Sequence, residues 1–167
     1  MKTMAFVVAV LATAITLAGS VFVARDAVAA QGDTVVGGGQ SVSLSAGCTP
    51  DPTLGVCTLN FGLNAKNGPN GATGHISMGW PDLNDELTAE VVCLQISGNT
   101  ADITGRIIRQ RNGASTGALY KRIMIHVTDD QISGDTLFAT FDNGEGCGTH
   151  SNVVPVLRGN IAIKKGN

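Results

Sequence analysis

Three histidines, His75, His126 and His150, are the side chains best placed to move protons near neutral pH. A hydrolytic triad needs one of them beside a Ser or Cys nucleophile and an orienting carboxylate. The sequence is read as holding no nucleophile elbow, and its cysteines are read as oxidised and unable to attack. Histidines scattered through a strand-patterned chain are expected on the surface or in the packing, so no catalytic residue is assigned.

Carboxylates form the next cluster. Asp129, Asp130 and Asp135 surround a turn, and Asp142, Asn143 and Glu145 sit in a second Gly-rich loop. Oxygen ligands so grouped suit calcium. Their spacing does not fit an EF-hand loop, and Asx residues also start turns by bonding their own backbone. The turn reading is preferred. No metal and no cofactor is assigned.

Four basic residues, Arg109, Arg111, Lys121 and Arg122, fall around one expected hairpin end. They form the candidate binding patch, facing an acidic protein or an anionic envelope polymer. The competing reading is a solvated hairpin balanced by Asp82, Asp85, Glu86 and Glu90. Trp80 is the only tryptophan, and it is expected in the core or at its rim rather than as a sugar-stacking platform.

Cysteine usage sets the compartment. Cys48, Cys57, Cys93 and Cys147 all lie beyond an apolar leader. An even count in an exported chain implies disulfides. Three connectivities are possible. Cys48–Cys57 is preferred because the intervening segment carries Pro50 and Pro52 and must turn back. Cys93–Cys147 would then tie a central strand to a late loop. The spacings contain no Cys-x-x-Cys, which disfavours zinc.

These residues must be positioned by a small exported domain. Lys2 precedes an apolar run from Met4 to Val23, and Ala27-Val28-Ala29-Ala30 offers a signal-peptidase site. Leu17-Ala18-Gly19-Ser20 resembles a lipoprotein box but has serine where the lipidated cysteine must stand. Residues 1–30 are therefore read as a signal peptide, residues 31–57 as a Gly-rich lead-in and first strand with a local disulfide, and residues 58–167 as the main domain. The expected location is secreted, with no membrane association after cleavage. An uncleaved, membrane-tethered domain is the alternative. From Gln31 onward nine basic residues face twelve acidic ones. That balance argues against a nucleic-acid partner.

After a loose lead-in over Gln31–Gln40, the dominant period is two. Leu59, Phe61, Leu63 and Ala65 alternate with Asn60, Gly62, Asn64 and Lys66. Further strands are expected over Gly74–Trp80, Leu87–Ser97, Ala101–Gln110, Leu119–Thr128, Thr136–Phe141 and Asn160–Ile163, with a weaker one over Val153–Leu157. Val92, Leu94 and Ile96 should share one face, and Gly98-Asn99-Thr100 should close a hairpin. The expected fold is all-β, a single antiparallel sandwich or barrel-like domain of eight or nine short strands.

Several stretches follow one another along the chain: Phe61-Gly62-Leu63-Asn64-Ala65, Gly74-His75-Ile76, Cys93 to Ala101, Val127-Thr128-Asp129-Asp130, Gly134-Asp135-Thr136 and Gly159 to Ile163. Together they resemble the post-COAP domains associated with choice-of-anchor surface proteins. The resemblance spans about Thr58 to Lys164 and implies an extracellular β-fold. It implies no catalytic residues. The expected function is a non-enzymatic binding or structural role at or outside the cell envelope. A small hydrolase using Asp/Glu carboxylates is the alternative.

Overall fold

The computed structural model describes residues 32–44, 50–111, 120–148 and 153–166. The expected leader, Cys48 and His150 lie outside this set. The fold is all-β. Eight antiparallel strands follow one another around a closed barrel: β1 Thr34–Val42, β2 Thr58–Gly68, β3 Gly71–Trp80, β4 Asp85–Ser97, β5 Thr100–Arg111, β6 Arg122–Thr128, β7 Thr136–Asp142 and β8 Val154–Lys164. A single 3-10 turn, Pro81–Leu83, joins β3 to β4.

The two-residue period decides what faces inward. Leu59, Phe61, Leu63 and Ala65 of β2 meet Ile76, Met78 and Trp80 of β3, Ile103 of β5 and Ile123, Ile125 and Val127 of β6 in one interior cluster. Ile76, Ile103, Ile123 and Ile125 are wholly enclosed. The outward positions of β2, β4 and β5 carry Asn60, Asn64, Lys66, Glu90 and Arg106. This is the reverse of an outer-membrane barrel, which turns an apolar band outward. Trp80 belongs to the core, with 5% exposure. Its ring lies 6.2 Å from Phe141, and Tyr120 continues the cluster at 5.9 Å.

The hairpin of β4 and β5 turns at Gly98 and Asn99, with Gly98 at φ +64°. Two bulges break its ladder, at Thr88/Ala89 and Val91/Cys93. The second moves Val92 to the outside, at 41% exposure, while Val91 and Leu94 point in. Val92 therefore does not share the face of Leu94, because a bulge inserts one residue and shifts the alternation.

The lead-in is not loose. Most of it is β1, paired with β2 on one side and β8 on the other. Its glycines let the closing pair approach closely. A Cβ on Gly37 would lie 2.8 Å from the Asn160 carbonyl oxygen, and one on Gly39 would run into the Arg158 carbonyl. Glycine runs read as flexible when nothing local demands them, and here the demand comes from residues about 120 positions away.

The other side of β8 is paired sparsely. Only Thr136↔Pro155 and Leu137↔Val154 join it to β7. Further along, aspartates from the β6–β7 turn replace the ladder. Asp135 Oδ2 accepts from Ile161 N–H at 2.5 Å, and Asp129 Oδ2 accepts from Ile163 N–H at 2.9 Å. Near the chain end, Asp33 Oδ1 accepts from Gly166 N–H at 2.7 Å. Carboxylates thus satisfy strand N–H groups that would otherwise lack partners.

Candidate functional site

The barrel interior is filled by its own side chains. The basic patch lies on the outer face of β4 to β6. Strand register builds it as lateral rows. Glu90, Arg106, Arg122 and Asp142 stand in line across β4, β5, β6 and β7. Arg106 Nη2 meets Glu90 Oε2 at 2.7 Å. Glu86 Oε1 lies between Arg109 Nη2 at 3.9 Å and Arg111 Nη1 at 3.8 Å. These pairs are exposed and contribute about 0–1 kcal/mol each.

The four expected residues fall into two groups. Arg109 and Arg111 share Glu86 on the β4–β5 hairpin. Lys121 precedes β6 and Arg122 begins it; the Lys121 N–H donates to Asn143 Oδ1 and Arg122 Nη1 donates to the Gly144 carbonyl. The acidic balance expected from Glu86 and Glu90 is in place. Arg106 was not singled out by the sequence, yet it is the residue opposite Arg122. In an unbroken strand Arg106 and Arg109 face opposite ways. The Thr88/Ala89 bulge puts both outside, and no local pattern announces it.

The aspartate turn is built from Asx bonds. Asp130 Oδ1 accepts from Ile132 N–H at 2.9 Å and Ser133 N–H at 3.1 Å, and Asp135 Oδ1 accepts from Asp130 N–H at 3.1 Å. With Asp129 and Asp135 also engaged on β8, all three carboxylates bind backbone. Asp142 Oδ1 does the same for Asn143 and Gly144 N–H. Among the described residues no three of His, Cys, Asp and Glu converge on a metal position.

The Ile132 and Ser133 N–H groups hold the Asp130 carboxyl below the ordinary aspartate value of 3.8. Asp51 is lowered likewise, first by the Thr53 hydroxyl and then by the Thr53 N–H. A lowered folded pKa stabilises above the unfolded value, and the stabilisation is lost as pH falls through the folded one. Below pH about 4, Asp130→Asn and the parent protein should therefore converge in melting temperature. Thermal melts from pH 7 to 2 check this, and a gap that widens with acid would contradict it.

His75 is exposed on β3, opposite Glu90 of β4. His126 of β6 lies opposite Asp102 of β5, with Nδ1 to Oδ1 at 2.7 Å and side-chain exposures of 18% and 15%. A triad orients its base through a contact of this kind, but the contact alone assigns no catalytic role. The sequence hid it because a 24-residue separation acquires meaning only through hairpin register. A Gly-x-Ser-x-Gly spelling does occur, at Gly113 to Gly117, and it amends the reading that none exists. It comes after β5 and before β6 in the sequence. Ser115 lies outside the described residues.

Cys93 and Cys147 are bridged, with Cα atoms 5.4 Å apart, as the preferred pairing expects. The Cys48–Cys57 pairing involves a residue outside the described set. No family model matches this chain, and neither the curated proteins nor the solved structures contain a match to it.

Proposed function

We propose that the protein is an exported, disulfide-stabilised β-barrel domain with a non-enzymatic binding or structural role at or outside the cell envelope. The observation that carries this reading is the distribution of side chains. Large aliphatic groups fill the interior, and Arg106, Arg109, Arg111 and Arg122 gather on one outer face. An outward bridge between Cys93 and Cys147 supports an oxidising compartment. No helix among the described residues is long and apolar enough to cross a membrane.

The partner class that fits the face is an acidic protein or an anionic envelope polymer. Co-sedimentation of the exported protein with isolated envelope polymer tests it. Saturable binding is expected, with the Arg109→Ala/Arg111→Ala variant weakened by about fivefold or more and the effect shrinking in salt. Equal binding by the two proteins, or release of soluble fragments from the polymer, would reject the reading.

A further inference from the structure

The Cys93–Cys147 bridge does not lie in the barrel core. Cys93 occupies an outward position of β4, opposite Thr104 of β5, which in turn stands opposite Met124 of β6. Thr104 and Met124 point away from the interior, yet Thr104 is 0% and Met124 is 7% exposed. The segment 143–148 lies over them without regular structure. Gly148 sits so close that a Cβ there would run into Met124 Sδ. Beneath this cover the Thr104 hydroxyl has no hydrogen-bond partner among the described residues.

What holds the cover is uneven. Asn143 and Gly144 are anchored through the Lys121 N–H and the Arg122 guanidinium. Among the described residues, no hydrogen bond holds Glu145, Gly146 or Gly148. Among the described residues their tether is the bond from Cys147 to Cys93. Both cysteines are half-buried and so within reach of a small reductant, whereas Met78 inside the barrel is 2% exposed.

We infer that the Cys93–Cys147 bridge is a reducible latch that keeps residues 145–148 strapped over the outer face of a barrel that is complete without it. The opening step is thiol–disulfide exchange with an external dithiol. One thiolate attacks the Cys147 sulfur, the Cys93 thiolate leaves, and the second thiol of the reductant closes on the mixed disulfide. Two electrons and two protons pass to the cysteines, and the dithiol becomes a disulfide. The strap then lifts and bares Met124 and Thr104, while the interior stays closed.

Met124 and Met78 report the two events separately. The full-length exported protein is exposed to dilute hydrogen peroxide before and after dithiothreitol treatment and removal of the reductant under a thiol cap. The Cys93→Ser/Cys147→Ser variant is treated in parallel. Sulfoxide at each methionine is read by peptide mass spectrometry. Opening should raise Met124 oxidation by about tenfold or more with Met78 unchanged, in both the reduced protein and the variant. If both methionines stay protected, the strap is held by something other than the bridge and the inference fails. If both become oxidised together, the bridge braces the whole barrel and the inference fails equally.

Discussion

Asp135→Asn is expected to lower the unfolding free energy by about 3 kcal/mol, because hydrogen bonds to a charged group contribute about 1.5–3 kcal/mol each. Asp135 uses both oxygens on backbone N–H groups, those of Asp130 and Ile161. An asparagine has one accepting oxygen and one NH2, so one donor loses its partner and faces another donor. The second of those donors belongs to β8, at a place where β7 no longer pairs with it. The substitution therefore opens the seam of the barrel as well as a turn. Urea unfolding should show a lower midpoint with an unchanged slope. Asp130→Asn is the comparison, since its carboxylate serves only its own turn. Equal losses from the two variants would mean that the carboxylate at 135 has no special part in closing the barrel.

Gly159→Ala should cost a similar amount, about 3 kcal/mol or more, from backbone strain combined with overpacking. Gly159 has φ +110°, and a Cβ there would strike the Gly38 carbonyl and approach the Gly39 Cα to 2.6 Å. Neither obstacle is a flexible side-chain end, so relief requires β1 and β8 to separate. Gly134→Ala separates strain from crowding, because Gly134 has φ +89° and open space around it. That variant should lose only about 1 kcal/mol. Paired thermal melts decide the point, and matching shifts would show that the close crossing of β1 and β8 is not what demands glycine.

These two positions also mark where the sequence stops being readable. The β2 strand, the β4–β5 hairpin and the inward faces of β5 and β6 are legible because each depends on neighbours. Alternation sets the face, and Gly98-Asn99 sets the turn. The Cys93–Cys147 pairing is reached only as the remainder once Cys48 is paired with Cys57. The glycines of β1 are not legible, since their reason is β8. The two bulges of the β4–β5 ladder are not legible either, because one extra residue reverses the faces without a compositional mark. Within the candidate site, Arg109 and Arg111 could be placed together from spacing alone. The pairing of Asp102 with His126 and the alignment of Arg106 with Arg122 required a register between strands. The three aspartates of the β6–β7 turn were visible as a cluster, but their work on β8 was not.

The ring of strands has a kinetic consequence. Seven of its eight ladders join strands adjacent in sequence, and these can form while only part of the chain is present. The eighth joins Thr34 to Lys164 and the residues between, across the whole length of the domain. Closing so long a loop costs more entropy than closing a hairpin, although the cost grows only logarithmically. Closure must wait for the last eleven-residue strand, and until then β1 and β8 are open edges that could template pairing with another chain. A β1 rich in glycine is a poor template of that kind, being weakly apolar and low in strand propensity. The same Gly37-Gly38-Gly39 run that lets the ring shut thus also guards the growing chain against aggregation before it does.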